Sequence, residues 1–374
     1  MNLPYKRFLP VSQPGILYVY NELMDLHPAF SDAEREALIP LIRRECRFAG
    51  ALLLGFAVRS REVHLLVQLA DPADLPSPNE CLQRAQAAWN PEVFQAFRTD
   101  LESLGPYAPE VQDRMQRLLR PSRIPGEFLR RLFRNLANQI QRGRGNRGSL
   151  WLRQTQTLVV DPAPEALFTV MAYIDLSGVR EGSVHQAETD PFSSLGQACA
   201  HTYNQTCNRT SSKSSGSEDP QRTSYLHLLC PQEPPQNSTH CRTLLQAVAL
   251  CLGVDRFYVP GKDADLWALF LPLYLLWLSP PCVQPRGPTR QPNRAEIEWL
   301  WQNERRPSVS AFREKSFRFM IRGGAIGYPP FLEKLFEAYP DNFSESRESG
   351  TRRIPGNFLG LGTLRLCPEP ADPK

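Results

Sequence analysis

The sequence has no Cys-x-x-Cys pair, and its nine cysteines are an odd number scattered from Cys46 to Cys367. That pattern argues against a disulfide framework and against a zinc ribbon, and it points to a reducing compartment, the cytoplasm. Cys199, His201 and Cys207 lie near one another, but in no standard zinc spacing. Long apolar runs are also missing. The strongest, Leu266 to Leu278, is too short to span a bilayer and contains Pro272, so it reads as core. The start, MNLPYKRFLP, lacks the basic and then apolar order of a secretory signal. No large excess of one charge is present either: the net charge is +4, and by itself that total does not announce nucleic acid. The chain has no internal repeat.

What is present is enough for a proper core. The 374 residues are 41% hydrophobic, a length that suggests about two domains. Charged residues make up 22% and the mean hydropathy is -0.38, which describes a soluble protein. Thirty-five prolines predict long irregular connections between elements.

Ile16 to Tyr20 reads as a short strand. Ser31 then caps a helix, with Asp32, Glu34 and Glu36 in its first turn and Leu38, Leu41, Ile42 and Cys46 at helical spacing. A hairpin follows. Residues 51 to 58, ALLLGFAV, are continuously apolar, whereas EVHLLVQL from Glu62 to Leu69 alternates with period two. The alternation sends Val63, Leu65, Val67 and Leu69 into the core and displays Glu62, His64, Leu66 and Gln68 on the other face. A carboxylate and an imidazole two residues apart on a strand are half of a divalent-metal site, since Mg or Mn accepts such donors. The plainer reading is an exposed polar strand face.

From Asp71 to Pro125 the pattern is helical but interrupted by eight prolines, which predicts a helical insertion over about 71–125. An amphipathic helix comes next, its apolar stripe formed by Phe128, Leu129, Leu132, Phe133, Leu136 and Ile140. Arg130, Arg131 and Arg134 take the other faces. Arg114, Arg117, Arg120 and Arg123 precede them, Arg142, Arg144, Arg147 and Arg153 follow, and Glu127 is the one acid after Asp113 and before Arg153. Such a local basic concentration, with Trp151 as a surface on which a base can stack, points to nucleic acid. A merely solvated charged face is the competing reading.

Gln154 to Val160 alternates as a strand, and Pro164 opens a helix with Leu167, Val170, Met171 and Ile174 as its buried stripe. Tyr173 flanks the stripe, with Ser177 one turn further on the same side. Residues 201–240 form a polar linker rich in Ser, Thr, Asn, Gln and Pro, which puts a domain boundary near residue 200. Helical pattern resumes from Leu244 to Leu278 and around Phe331, Leu332, Leu335 and Phe336, so 241–374 is expected to be mostly helical.

Four stretches in order, REVHLLVQL, EFLRRLFRNLANQI, RGSLWLRQTQTLVV and YIDLSGVREG, resemble the REP-associated branch of the single-tyrosine HUH transposases. The C-terminal GGAIGYPPFLEKLFEAY and ESGTRR are similar to the tail of longer members. The resemblance covers nearly the whole chain apart from the polar linker. It implies an α+β fold, a ferredoxin-like antiparallel sheet with helices, over residues 1–200. It also implies binding of single-stranded or hairpin DNA and its cleavage and rejoining in DNA transposition. By position, Tyr173 matches the tyrosine nucleophile. Glu62 and His64 match the two histidines of the metal motif, and Ser177 matches the amide ligand four residues after the tyrosine. Glu62, His64 and Ser177 would then hold Mg or Mn, which polarises the scissile phosphate. Arg61, Arg130, Arg131, Arg134, Arg147, Trp151 and Arg153 would contact DNA. Two positions match by type only in part: Glu62 stands for a histidine and Ser177 for an amide. A DNA hairpin-binding protein that has lost cleavage is therefore the alternative. No membrane partner is implied, and a monomer is expected, with a dimer left open.

Overall fold

The computed structural model describes residues 15–69, 77–88, 91–145, 148–152, 155–200, 274, 323–340, 343, 352–353 and 362–365. Two compact units divide the chain, Phe8–Val159 and the remainder, Met1–Arg7 with Val160–Lys374. The polar linker, most of the region from 241 to 322, and the proposed DNA contacts Arg147 and Arg153 lie outside the described residues.

The first unit runs β1 (Ile16–Glu22), α1 (Asp32–Ala49), β2 (Leu52–Val58), β3 (Glu62–Gln68), α2 (Pro78–Ala88), α3 (Pro91–Leu104), α4 (Pro109–Arg123), α5 (Pro125–Arg144) and β4 (Gln156–Val160). Its strands lie in the order β2-β3-β1-β4, with β3 antiparallel to both β1 and β2. Helix α1 begins as the sequence predicts: Ser31 and Glu34 form a reciprocal capping box, and Gly50 ends the helix in the left-handed conformation. The turn between β2 and β3 is stitched by Arg59 N–H donating to the Glu62 carbonyl at 2.7 Å. All six stripe residues predicted for α5 are buried.

Four of the eight prolines that interrupt the insertion turn out to start helices. Pro78, Pro91, Pro109 and Pro125 are the first residues of α2, α3, α4 and α5. At that position the missing N–H has no intrahelical partner to lose, and the fixed φ suits the first turn. The insertion has its own apolar cluster, in which Cys81, Ala85, Phe97, Val111 and Met115 pack with Phe48 of α1.

One expectation about β3 is corrected. Alternation assigned Glu62, His64, Leu66 and Gln68 to a displayed face, yet His64 is 1% exposed and Leu66 0%. Strand β3 lies between β1 and β2, and Tyr18 and Tyr20 of β1 bring their rings over the His64 side. Period two distinguishes the two sides of a strand; it does not say whether the second side is covered.

In the second unit, α6 (Pro164–Asp175) and the short α7 (Ser177–Glu181) precede a single 3-10 turn, Ala187–Thr189. Further on come β5 (Gly323–Gly327), α8 (Pro329–Ala338), β6 (Arg352–Arg353) and β7 (Gly362–Arg365), with β7 antiparallel to both β5 and β6. The described part of the C-terminal region thus includes three short strands beside α8. Strands of two to five residues are too short to show a period, and GGAIG reads as a turn signal. Its glycine has a packing reason: a Cβ on Gly327 would lie 2.5 Å from Asp161 Cβ and 2.6 Å from Phe331 Cδ1. Asp161 accepts from Ala163 N–H and from Tyr328 N–H, both at 3.0 Å, so one carboxylate serves the starts of α6 and α8. Among the described residues, no helix is long and apolar enough to cross a membrane.

Candidate functional site

Strands β1 and β3 place Tyr20 opposite His64 and Glu22 opposite Glu62. A connected polar cluster results. Tyr18 Oη lies 2.8 Å from His64 Nδ1, and His64 Nε2 lies 3.0 Å from Glu62 Oε2. Tyr20 O–H donates to Glu62 Oε1 at 3.1 Å and to Glu22 Oε2 at 3.2 Å. Facing a carboxylate, His64 Nε2–H donates to Glu62. Burial, then the charges of Glu62 and Glu22, hold the Tyr20 phenol well above its ordinary value, so it remains a protonated donor.

The pair expected to hold Mg or Mn is thus brought together, as a hydrogen bond. Glu62 uses both oxygens within the cluster, and an Nε2 that carries a proton offers no lone pair to a cation. Among the described residues no three of His, Cys, Asp and Glu converge as a metal cage. A cation held by Glu62 and His64 would have to replace these hydrogen bonds. The sequence reading missed Tyr18, Tyr20 and Glu22. Their i, i+2, i+4 spacing in YVYNE places all three on one face, but only the register with β3 shows that they meet Glu62 and His64.

Tyr173 and Ser177 belong to the second unit. Helix α6 is apolar nearly all round, and Tyr173 is 3% exposed. Arg180 of α7 places its guanidinium 4.1 Å from the Tyr173 ring centre and donates to the Tyr173 carbonyl at 2.7 Å. Ser177 does not continue α6: that helix ends at Asp175, and Ser177 opens α7. Its hydroxyl is buried and has no hydrogen-bond partner among the described residues.

The arginines of α5 separate into two sets. Those turned toward the unit are occupied. Arg131 Nε donates to Glu45 Oε2 at 2.8 Å, with its guanidinium 4.0 Å from the Phe48 ring centre. Arg144 meets both oxygens of Glu34, at 2.6 and 2.8 Å, and the carbonyls of Pro28 and Ala29. Arg61 of the β2–β3 turn likewise donates to the carbonyls of His27 and Met24. Trp151 donates to the Phe133 carbonyl at 2.9 Å and packs edge-on against Phe133 and Phe30. Its ring is part of the unit's own packing. In contrast, Arg130, Arg134 and Arg142 are exposed and make no ion pair or hydrogen bond with any described residue. With the exposed Asn138 they recur every fourth residue along one side of α5, a row of about 18 Å at 1.5 Å per residue. Arg142 and Asn138 were not singled out from sequence, although their spacing was there to be read.

No protein-family model matches the sequence, and no curated protein does. One solved structure, described as that of a REP-associated tyrosine transposase bound to a REP hairpin, aligns with 11% identity and a TM-score of 0.32. The alignment covers 58% of this chain and 93% of that one. A TM-score this low does not establish a shared fold.

Proposed function

We propose that this protein binds single-stranded or hairpin DNA along the outer side of α5, as a transposase-derived DNA-binding protein. The observation that carries the reading is the contrast within one helix. Arg131 and Arg144 are paired with Glu45 and Glu34, whereas Arg130, Arg134 and Arg142 face outward with no carboxylate partner. A solvated face usually mixes signs; a row of three cations without acids matches a phosphate backbone. The order β1-α1-β2-β3-α5-β4, with strands arranged β2-β3-β1-β4, supports a ferredoxin-like sheet beneath it, interrupted by α2 to α4. The test is anisotropy of a labelled hairpin carrying a single-stranded tail, in chelator, over a range of salt. Binding should survive the chelator. Changing Arg130, Arg134 and Arg142 together to Ala should reduce the log–log salt slope by about 2, near 0.7 per phosphate contact on a single strand. Absence of salt-dependent binding would sink the proposal.

A second reading, strand cleavage and rejoining through Tyr173, is favoured by Arg180. A permanent cation against the ring stabilises a phenolate and suits an approaching phosphodiester. In that reaction the Tyr173 oxygen–phosphorus bond forms and the phosphorus–3′-oxygen bond breaks. The 5′-phosphate stays on the protein, and the 3′-oxygen leaves with the proton. Because Tyr173 is 3% exposed, its surroundings must open before attack. Denaturing electrophoresis should then reveal a covalent adduct with the parent chain and none with Tyr173→Phe; an equal adduct from both removes Tyr173 as the nucleophile.

A further inference from the structure

The outward row on α5 is not uniform. Arg130 and Arg134 are one turn apart, Arg142 is two turns beyond Arg134, and the position between them is Asn138. Asn138 is exposed and its side chain makes no hydrogen bond with any described residue. Its neighbours in the row are cations, which meet phosphates as charges and carry little information about base identity. An amide differs in kind, since it presents a donor and an acceptor side by side. That pattern is complementary to the N6–H and N7 edge of adenine.

We infer that Asn138 is the base-reading residue of the α5 surface and selects adenine in the bound strand, with Arg130, Arg134 and Arg142 fixing the backbone on either side of it. This rests on the DNA-binding reading above and adds a specificity to it. The geometry is economical: each step of four residues advances about 6 Å, so a strand laid along the row meets cation, cation, amide, cation in sequence. Asn at an exposed helix interior also contributes little to the fold. Its helix propensity is below that of Ala, and here its side chain caps nothing and bonds nothing among the described residues.

The experiment uses the full chain and a hairpin with an all-thymine single-stranded tail, in which one position at a time is changed to adenine and then to 7-deaza-adenine. The parent chain should prefer adenine at one tail position by about 5- to 100-fold, and 7-deaza-adenine should lose that preference. Asn138→Ala should bind every tail with the affinity that the parent shows for thymine, because the amide alone is removed. Changing Arg130, Arg134 and Arg142 to Ala should weaken all tails alike and leave the adenine ratio in place. A preference that persists in Asn138→Ala overturns the inference. So does a parent chain without any preference whose binding still depends on the three arginines; binding that ignores the arginines would instead overturn the DNA-binding reading itself.

Discussion

Replacing Arg144 by Ala tests whether the end of α5 is held by chemistry or merely decorated with charge. Arg144 is 12% exposed and its partner Glu34 22%. The change removes two charge-assisted hydrogen bonds to Glu34 and two donations to the carbonyls of Pro28 and Ala29. Taken singly, such bonds contribute about 0.5–3 kcal/mol each, but the carboxylate and both carbonyls regain water in the variant. A net loss of about 2–3 kcal/mol is expected. The pH dependence has a definite sign. The Arg144 hydrogen bond is the main influence holding the Glu34 carboxyl below its ordinary value, so the stabilisation is complete above the unfolded value near 4.5. As pH falls through the folded value it disappears. Urea unfolding followed by hydrogen exchange in the α1 and α5 peptides should separate parent and Arg144→Ala most widely near neutrality. Below the titration of Glu34 the gap should close to the share owed to the two carbonyls. A gap of the same size at pH 3 and pH 7 would show that the ion pair contributes nothing and that the reasoning is wrong.

Arg131→Ala should destabilise the first unit by about 3 kcal/mol, since Glu45 is 1% exposed and would keep Arg44, at 3.3 Å, as its partner, whereas Arg130→Ala should stay within about 0.5 kcal/mol; urea midpoints compare the two. Burial is the main cause that pushes the Cys46 thiol up to about 12, so iodoacetamide at pH 8 should label it only after unfolding, as peptide mass spectrometry will show. Glu62→His should cost about 1–3 kcal/mol and cost more than Glu62→Gln, because one ring nitrogen cannot accept from both Tyr20 and His64; equal midpoints would contradict this.

Local signals carried the first unit well. The Ser31 cap, the apolar stripe of α5 and the period of β3 are each decided by neighbours within a few residues, and each stands where the sequence puts it. The proline-interrupted insertion was legible as helical, and Pro78, Pro91 and Pro109 proved to mark its helix starts. What the chain hid were facts of long sequence separation. Tyr18 and His64 are 46 residues apart, and Glu45 and Arg131 are 86 apart. Neither pairing leaves a trace in composition or spacing. Arginine count is the clearest case, because it reports how much positive charge is present and nothing about its use. Register and packing assign Arg131 and Arg144 to the interior and leave Arg130, Arg134 and Arg142 outside.

The same distinction explains why Glu62 suits its place. A histidine there would have one acceptor nitrogen at most, whereas a carboxylate has two oxygens and several lone-pair directions. Two donors converge on this position, the Tyr20 phenol from β1 and His64 from the same strand, and both are buried residues. A buried donor without an acceptor costs more than a made hydrogen bond returns, so the residue that receives both is constrained by its neighbours. Tyr18 adds to the constraint by engaging the other nitrogen of His64, which directs the remaining N–H toward Glu62. Tyr18, Tyr20, Glu62 and His64 are thus tied to one another by hydrogen bonds across β1 and β3. On α5, by contrast, the outward side chains of Arg130, Arg134, Asn138 and Arg142 have no partner to give up among the described residues.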